Sequence, residues 1–258
     1  MKKHWELCEY KKPENAAVVQ PCHRFWDVPL VGDGRHLSAF EMAVTYSFNG
    51  QDREHMFVAH FDFLTKELGL DPTKIAATTF GGGTTYYKTV FPPDEEARKI
   101  WTALGIKNIT VTEGFQRDSH HGRLVNDNFV SNTVEPFGGP RTELFYDGTE
   151  IWTSVLYSTA VEFDSRNNTL HFQTYDYPTF AAGFGLERVL MATNGSASID
   201  NVFTSPHTTN PIVYDHVRGL TRLAHDGAFA LTRKNKLTGR SNSGRISVLN
   251  SYITSLYR

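Results

Sequence analysis

The chain has 258 residues, of which 40% are hydrophobic and 21% charged, with a formal net charge of −2. That length and balance suit one globular domain with at most a small appendage. They give no global electrostatic drive toward nucleic acid, and two cysteines, Cys8 and Cys22, make no disulfide framework and no zinc spacing.

The first residues, Met1 to Glu6, carry charge but no apolar run, so no signal peptide is expected. No window approaches the roughly 20 apolar residues of a membrane helix, and a cytoplasmic setting is the default. Ala16 to Val19 reads as a strand that continues through Gln20-Pro21-Cys22-His23 to Arg24. A loop with Gly32-Asp33-Gly34 follows, then Phe40-Glu41-Met42, which predicts a hairpin presenting Arg24 and Phe40. An ordinary hairpin with a solvated arginine fits the same residues.

Met56, Phe57, His60, Phe61 and Leu64 recur at helical spacing, predicting a helix over 53–68 that Gly69 stops. A second helix is predicted from Pro93 to Leu104, opened by Asp94, Glu95 and Glu96 and ended by Gly105. Strands are predicted at Ile75–Phe80, Ile109–Thr112, Leu144–Tyr146, Ile151–Phe163 and Leu170–Tyr175, all rich in β-branched and aromatic residues. Further helices are predicted over Gly185–Ala192, Ile212–Leu223 and Arg245–Leu256. Strands gathered in the middle with helices on either side predict an α+β fold with a largely antiparallel sheet.

Three segments carry chemistry. Gly183-Phe184-Gly185-Leu186-Glu187-Arg188 is a strand feeding a helix, where the glycines admit close approach of a planar or phosphate ligand and Arg188 adds a flat cation; a tight strand-to-helix turn with a surface arginine fits the same residues. Arg24 and Phe40 form the second. The third is Asp127-Asn128-Phe129 with Gly138-Gly139-Pro140-Arg141-Thr142-Glu143-Leu144-Phe145-Tyr146-Asp147. Strand alternation puts Glu143 and Asp147 on one face, where paired carboxylates suit either Mg²⁺ or a rim salt bridge. His120-His121 reads as a solvated loop pair. Lys234, Lys236, Arg240 and Arg245 fit a solvated loop or a contact to a phosphate backbone.

Taken together these segments resemble class II aminoacyl-tRNA synthetases, whose motif 2 is an arginine-bearing hairpin and whose motif 3 is a G-x-G-x-x-R strand–helix. The wording is similar to the alanyl-tRNA synthetase branch: Phe40-Glu41-Met42 with Ser47-Phe48-Asn49-Gly50, Thr79-Phe80-Gly81-Gly82, Asp127-Asn128-Phe129, Thr142 to Asp147, Glu150-Ile151-Trp152 and His216-Val217-Arg218. The resemblance runs over roughly residues 16–257. It implies an antiparallel sheet flanked by helices, with a catalytic domain over 1–205 and a short C-terminal helical segment over 206–258 like the start of the tRNA-recognition region.

It further implies ATP and Mg²⁺. Arg24 would hold the α-phosphate, and Phe40 would stack under the adenine with Arg188 above it and Met42 in the same ATP site. Gly183 and Gly185 would let the nucleotide lie against the strand, the two guanidinium groups converging on the bent triphosphate. Val130, Trp152, Val155 and Ala181 would line the acyl pocket, and Glu143 and Asp147 would hold the metal. Two departures stand out: Ala181 replaces the family's ammonium-binding aspartate, and Val130 replaces a tryptophan. The match also predicts that most of motif 1 and of the RNA-recognition part is missing, which leaves a homodimer open. The expected activity is formation of an acyl-adenylate from an amino acid or related small acid and transfer to a small molecule or carrier protein. A minimal tRNA-aminoacylating enzyme and a non-catalytic nucleotide-binding regulator are the alternatives.

Overall fold

The computed structural model describes residues 14–49, 53–84, 89–117, 124–131, 137–164, 169–202 and 210–225. The pair His120-His121, the basic stretch from Lys234 to Arg245, the helix expected over Arg245–Leu256, Cys8 and the first six residues lie outside them.

In chain order the strands are β1 (Glu14–His23), β2 (Ala39–Phe48), β3 (Ile75–Phe80), β4 (Gly83–Thr84), β5 (Val90–Phe91), β6 (Asn108–Thr112), β7 (Gln116–Arg117), β8 (Leu124–Val125), β9 (Phe129–Ser131), β10 (Phe137–Tyr146), β11 (Thr149–Asp164) and β12 (Thr169–Gly185). The helices are α1 (Arg53–Asp62), α2 (Glu95–Ala103), α3 (Leu186–Thr193) and α4 (Pro211–His225). One sheet has eight strands, in the order β1-β2-β12-β11-β10-β3-β6, with β9 paired to β10. Strands β10, β11 and β12 run antiparallel, as do β10 with β3 and with β9, while β3 and β6 are parallel. The α+β class with a largely antiparallel sheet is therefore what the chain forms. Among the described residues no helix is long and apolar enough to cross a membrane.

Contacts divide the chain into two units: Met1–Val19 with Ala43–Gly185, and Gln20–Met42 with Leu186–Arg258. In the first unit, α1 buries Met56, Phe57, His60 and Phe61 and continues as one wide π turn over Phe63–Glu67, in which the Leu68 N–H reaches back to the Phe63 carbonyl. Asp94 caps α2 by accepting the Ala97 N–H, and Gly105 takes the left-handed conformation (φ 89°) that ends it. Phe57 stacks on Trp101 with centroids 4.3 Å apart, and Trp152 meets both rings edge-on. Phe180 packs 5.3 Å from Phe57. This aromatic knot is the core beneath the helices.

Among the described residues the second unit holds two small apolar clusters. Leu37, Met191 and Ile199 pack with Phe40 and Val202, and Val28 and Leu223 pack with Phe25 and Leu220. Its connection between β1 and β2 holds a 3-10 turn, Phe25–Leu30, where the sequence had offered only a loop. Asn210 caps α4 by accepting the N–H groups of Ile212 and Val213.

Candidate active site

The first unit's sheet has two chemically different faces, because side chains alternate along each strand. Cα partners run Leu144–Trp152–Phe184 across β10, β11 and β12; Trp152 packs on Trp101 and Phe184 on His60, and Leu144 is fully buried. The neighbouring rows, Glu143–Thr153–Gly183 and Arg141–Val155–Ala181, point the other way. Trp152 therefore does not share a face with Val155 and Ala181, as the expected acyl pocket required. It is three residues from Val155 on one strand, an odd spacing, and it is buried with its Nε1–H donated to His60 Nδ1 at 3.2 Å. Val130 lies on β9 opposite Gly139, and Ala181 directly opposite Val155.

The polar face is organised around Glu143, which is 8% exposed. Burial raises its carboxyl pKa; the Arg141 guanidinium at 3.3 Å and the Thr78 hydroxyl, donating at 3.2 Å, oppose that rise. Asn128 is fully buried and donates to Thr78 Oγ1 at 2.7 Å, while its own Oδ1 meets the Thr112 hydroxyl at 2.9 Å. A polar chain thus runs from Thr112 through Asn128 and Thr78 to Glu143 and Arg141. Beside it the buried Thr153 hydroxyl has no hydrogen-bond partner among the described residues. The sequence places Asn128 and Arg141 in the third segment without giving either a role, and it does not single out Thr78 or Thr153. Their signal was the alternation itself, applied from Glu143 outward.

Asp147 does not join Glu143. The strand ends at Tyr146, its register slips between Leu144 and Phe145, and Asp147 sits in the following turn at φ 47°. There it is exposed and paired with Lys74 at 2.9 Å. The expected two-carboxylate Mg²⁺ site is not formed by this pair. Among the described residues no three His, Cys, Asp or Glu side chains gather as a metal would need.

In the second unit, Arg24 follows the end of β1 with its side chain 42% exposed. Its guanidinium lies over the Phe40 ring, 5.2 Å from the centroid, and 3.5 Å from the Asp27 carboxylate. The structure thus brings Arg24 and Phe40 together, and Met42 follows two residues along β2. Arg188, in the first turn of α3, donates its Nε–H to the Arg35 carbonyl at 3.4 Å. Gly183 and Gly185 belong to β12 in the first unit.

A family described as class II tRNA synthetases (A) matches residues 3–170. The alanine–tRNA ligase of Treponema pallidum is 28% identical over 202 residues, covering 70% of this chain and 30% of its own length. That of Renibacterium salmoninarum is 28% identical over 293 aligned residues, covering 93% of this chain and again 30% of its own. The chain therefore spans less than a third of these relatives. Among solved structures, apo histidyl-tRNA synthetase of S. aureus aligns over 96% of this chain and 64% of its own, at 12% identity and a TM-score of 0.41.

Proposed function

Since the chain belongs to the class II tRNA synthetase (A) family, we propose that it is an ATP-dependent ligase that activates an amino acid or related small carboxylic acid and passes the acyl group to an acceptor other than tRNA. The acceptor is a small molecule, such as a nucleoside, or a carrier protein. The observation that supports this reading most directly is the Arg24 guanidinium poised over Phe40. A flat ring with a half-exposed cation on it offers an adenine a stacking surface and a phosphate a counter-charge.

On this reading adenine takes the face of Phe40, beside Met42, and Arg24 turns to the α-phosphate. A carboxylate oxygen of the acid attacks that phosphorus, the bond to the β-phosphate oxygen breaks, and pyrophosphate leaves. Arg24 neutralises the charge that builds on the α-phosphoryl oxygens, and Arg188 supplies a second cation. Gly183 and Gly185 let a ligand lie close to backbone. Val130, Val155 and Ala181 are assigned to the acyl group, and the Thr153 hydroxyl supplies a donor or acceptor for a polar substituent. Mg²⁺ enters as the counter-ion of ATP. Glu143, on the polar face, is the carboxylate that would hold it.

Two features favour an acid other than alanine and an acceptor other than RNA. Ala181 and Val155 make that part of the face apolar, and Glu143 already has Arg141 as its partner, so a substrate ammonium gains little there. The net charge of −2 supplies no general attraction to a polyanion. The named relatives favour a second reading, a minimal enzyme that aminoacylates tRNA.

Pyrophosphate exchange into ATP, scanned over amino acids and their hydroxy and des-amino analogues, tests the reading. We expect exchange with at least one acid, and a loss of roughly 10²–10³-fold on Arg24→Ala. Silence of the wild-type protein with every acid overturns it. Acyl transfer to bulk tRNA decides for the second reading.

A further inference from the structure

Four consecutive residues at the entry of β2 have their backbone held by charged side chains from two helices. The Asp215 carboxylate on α4, 1% exposed, accepts the Ser38 N–H at 3.2 Å and the Ala39 N–H at 3.5 Å, and also the Ser38 hydroxyl. Arg222 donates to the Phe40 carbonyl at 3.5 Å and to the Glu41 carboxylate at 2.9 Å. The Glu41 N–H is taken by Glu187 of α3 at 3.0 Å, and Glu187 is itself paired with Arg218 at 3.4 Å. Asp215, Arg218 and Arg222 stand three and four residues apart, so they form one stripe along α4.

This grip reaches both groups assigned to the nucleotide. Phe40 lies inside the clamped segment. The Ser38 carbonyl accepts the Arg24 N–H at 2.9 Å, so the same anchored residue also sets where Arg24 leaves the chain. Cohesion alone does not require ions here. Leu220 and Leu223 of α4 already pack on Phe25 and Val28, and buried charges generally match apolar replacements in stability at best. What charged, directional partners add is a fixed backbone position.

We propose that Asp215, Arg218 and Arg222 are positioning residues for the nucleotide subsite, so that α4 sets the geometry of Arg24 and Phe40. The proposal rests on the ATP reading above and extends the adenylate-forming machinery into the helix that the sequence had assigned to RNA recognition. Asp215→Asn removes acceptor capacity at constant size, and Arg222→Met keeps the apolar stem while deleting two donors.

The test is equilibrium binding of a fluorescent ATP analogue, with pyrophosphate exchange measured against ATP and against the acid that exchanges best. Each variant is expected to weaken ATP at least about tenfold, as loss of a charge-assisted hydrogen bond implies. KM for the acid should stay within about twofold, and Arg222→Lys should recover part of the loss. Thr221→Ala, on the exposed side of the same helix, should bind ATP as wild type. If Asp215→Asn does not fold, Arg222→Met decides, because Arg222 is 28% exposed at the helix edge. Variants that bind ATP as wild type does, or that lose ATP and acid equally and in step with the melting temperature, overturn the proposal. A wild-type protein that binds no ATP overturns the functional reading itself, which separates the two failures.

Discussion

His60 makes the stability of this protein depend on pH in a defined window. Its Nδ1 accepts the Trp152 Nε1–H, so the ring proton sits on Nε2, facing Thr45 Oγ1 at 3.1 Å; that hydroxyl in turn donates to the Ala182 carbonyl at 3.3 Å. A second proton would have to go on Nδ1, which would expel the tryptophan donor and leave a cation among Phe184, Trp152 and the rest of the knot. Burial accordingly holds the His60 pKa down from 6.5 to about 4. The unfolded chain therefore takes up this proton before the folded chain does. Stability is whole above about 6.5 and drains as pH falls toward about 4.

The displacement corresponds to about 3 kcal/mol in all, of which about 2 kcal/mol is lost between about pH 7 and about pH 5. At roughly 2–4 °C per kcal/mol for a chain of this size, wild type should melt roughly 4–8 °C lower at the acid end from this group alone. Thermal melts of wild type and His60→Gln across that range isolate it, since other titrating groups are common to both. The variant should be less stable near neutrality but should lose about 2 kcal/mol less on acidification. Equal pH slopes for the two proteins refute the reasoning.

Gly139→Ala should destabilise by about 3 kcal/mol or more, because an added Cβ would lie 1.8 Å from the Leu156 carbonyl oxygen, a clash of backbone with backbone; urea denaturation measures it. Arg53→Met should cost about 3–5 kcal/mol by the same assay, since it strands the buried Asp94 carboxylate that Arg53 now pairs with. A double variant that also carries Asp94→Asn should recover much of that loss.

Local pattern was enough wherever period and caps agreed. Ile75–Phe80 is a strand with the bounds its composition indicates, and Asp94 and Gly105 mark the ends of α2. It failed where pairing overrode local preference. Gly138-Gly139-Pro140 reads as a turn, yet it is strand, because β9 and β11 close on it and the register slips there. β12 continues through Pro178 to Gly185, and the proline falls within the irregularity between the Tyr157–Thr179 and Thr159–Thr174 pairs, where a missing N–H is tolerated. The presumed partnership of Glu143 with Asp147 assumed four residues of unbroken strand, which the slip and the turn prevent. Asp215 was invisible for another reason: its partner Ser38 is 177 positions away, and no local pattern encodes such a contact.

The two-faced sheet of the first unit separates what holds the fold from what would choose a substrate. Trp152, Phe180 and Phe184 carry the packing on one side of strands whose other side presents Thr153, Val155 and Ala181. If the acyl group lies on that second side, a library confined to Thr153, Val155 and Ala181 would change selectivity while the rings of the aromatic knot, on the opposite side, keep their partners.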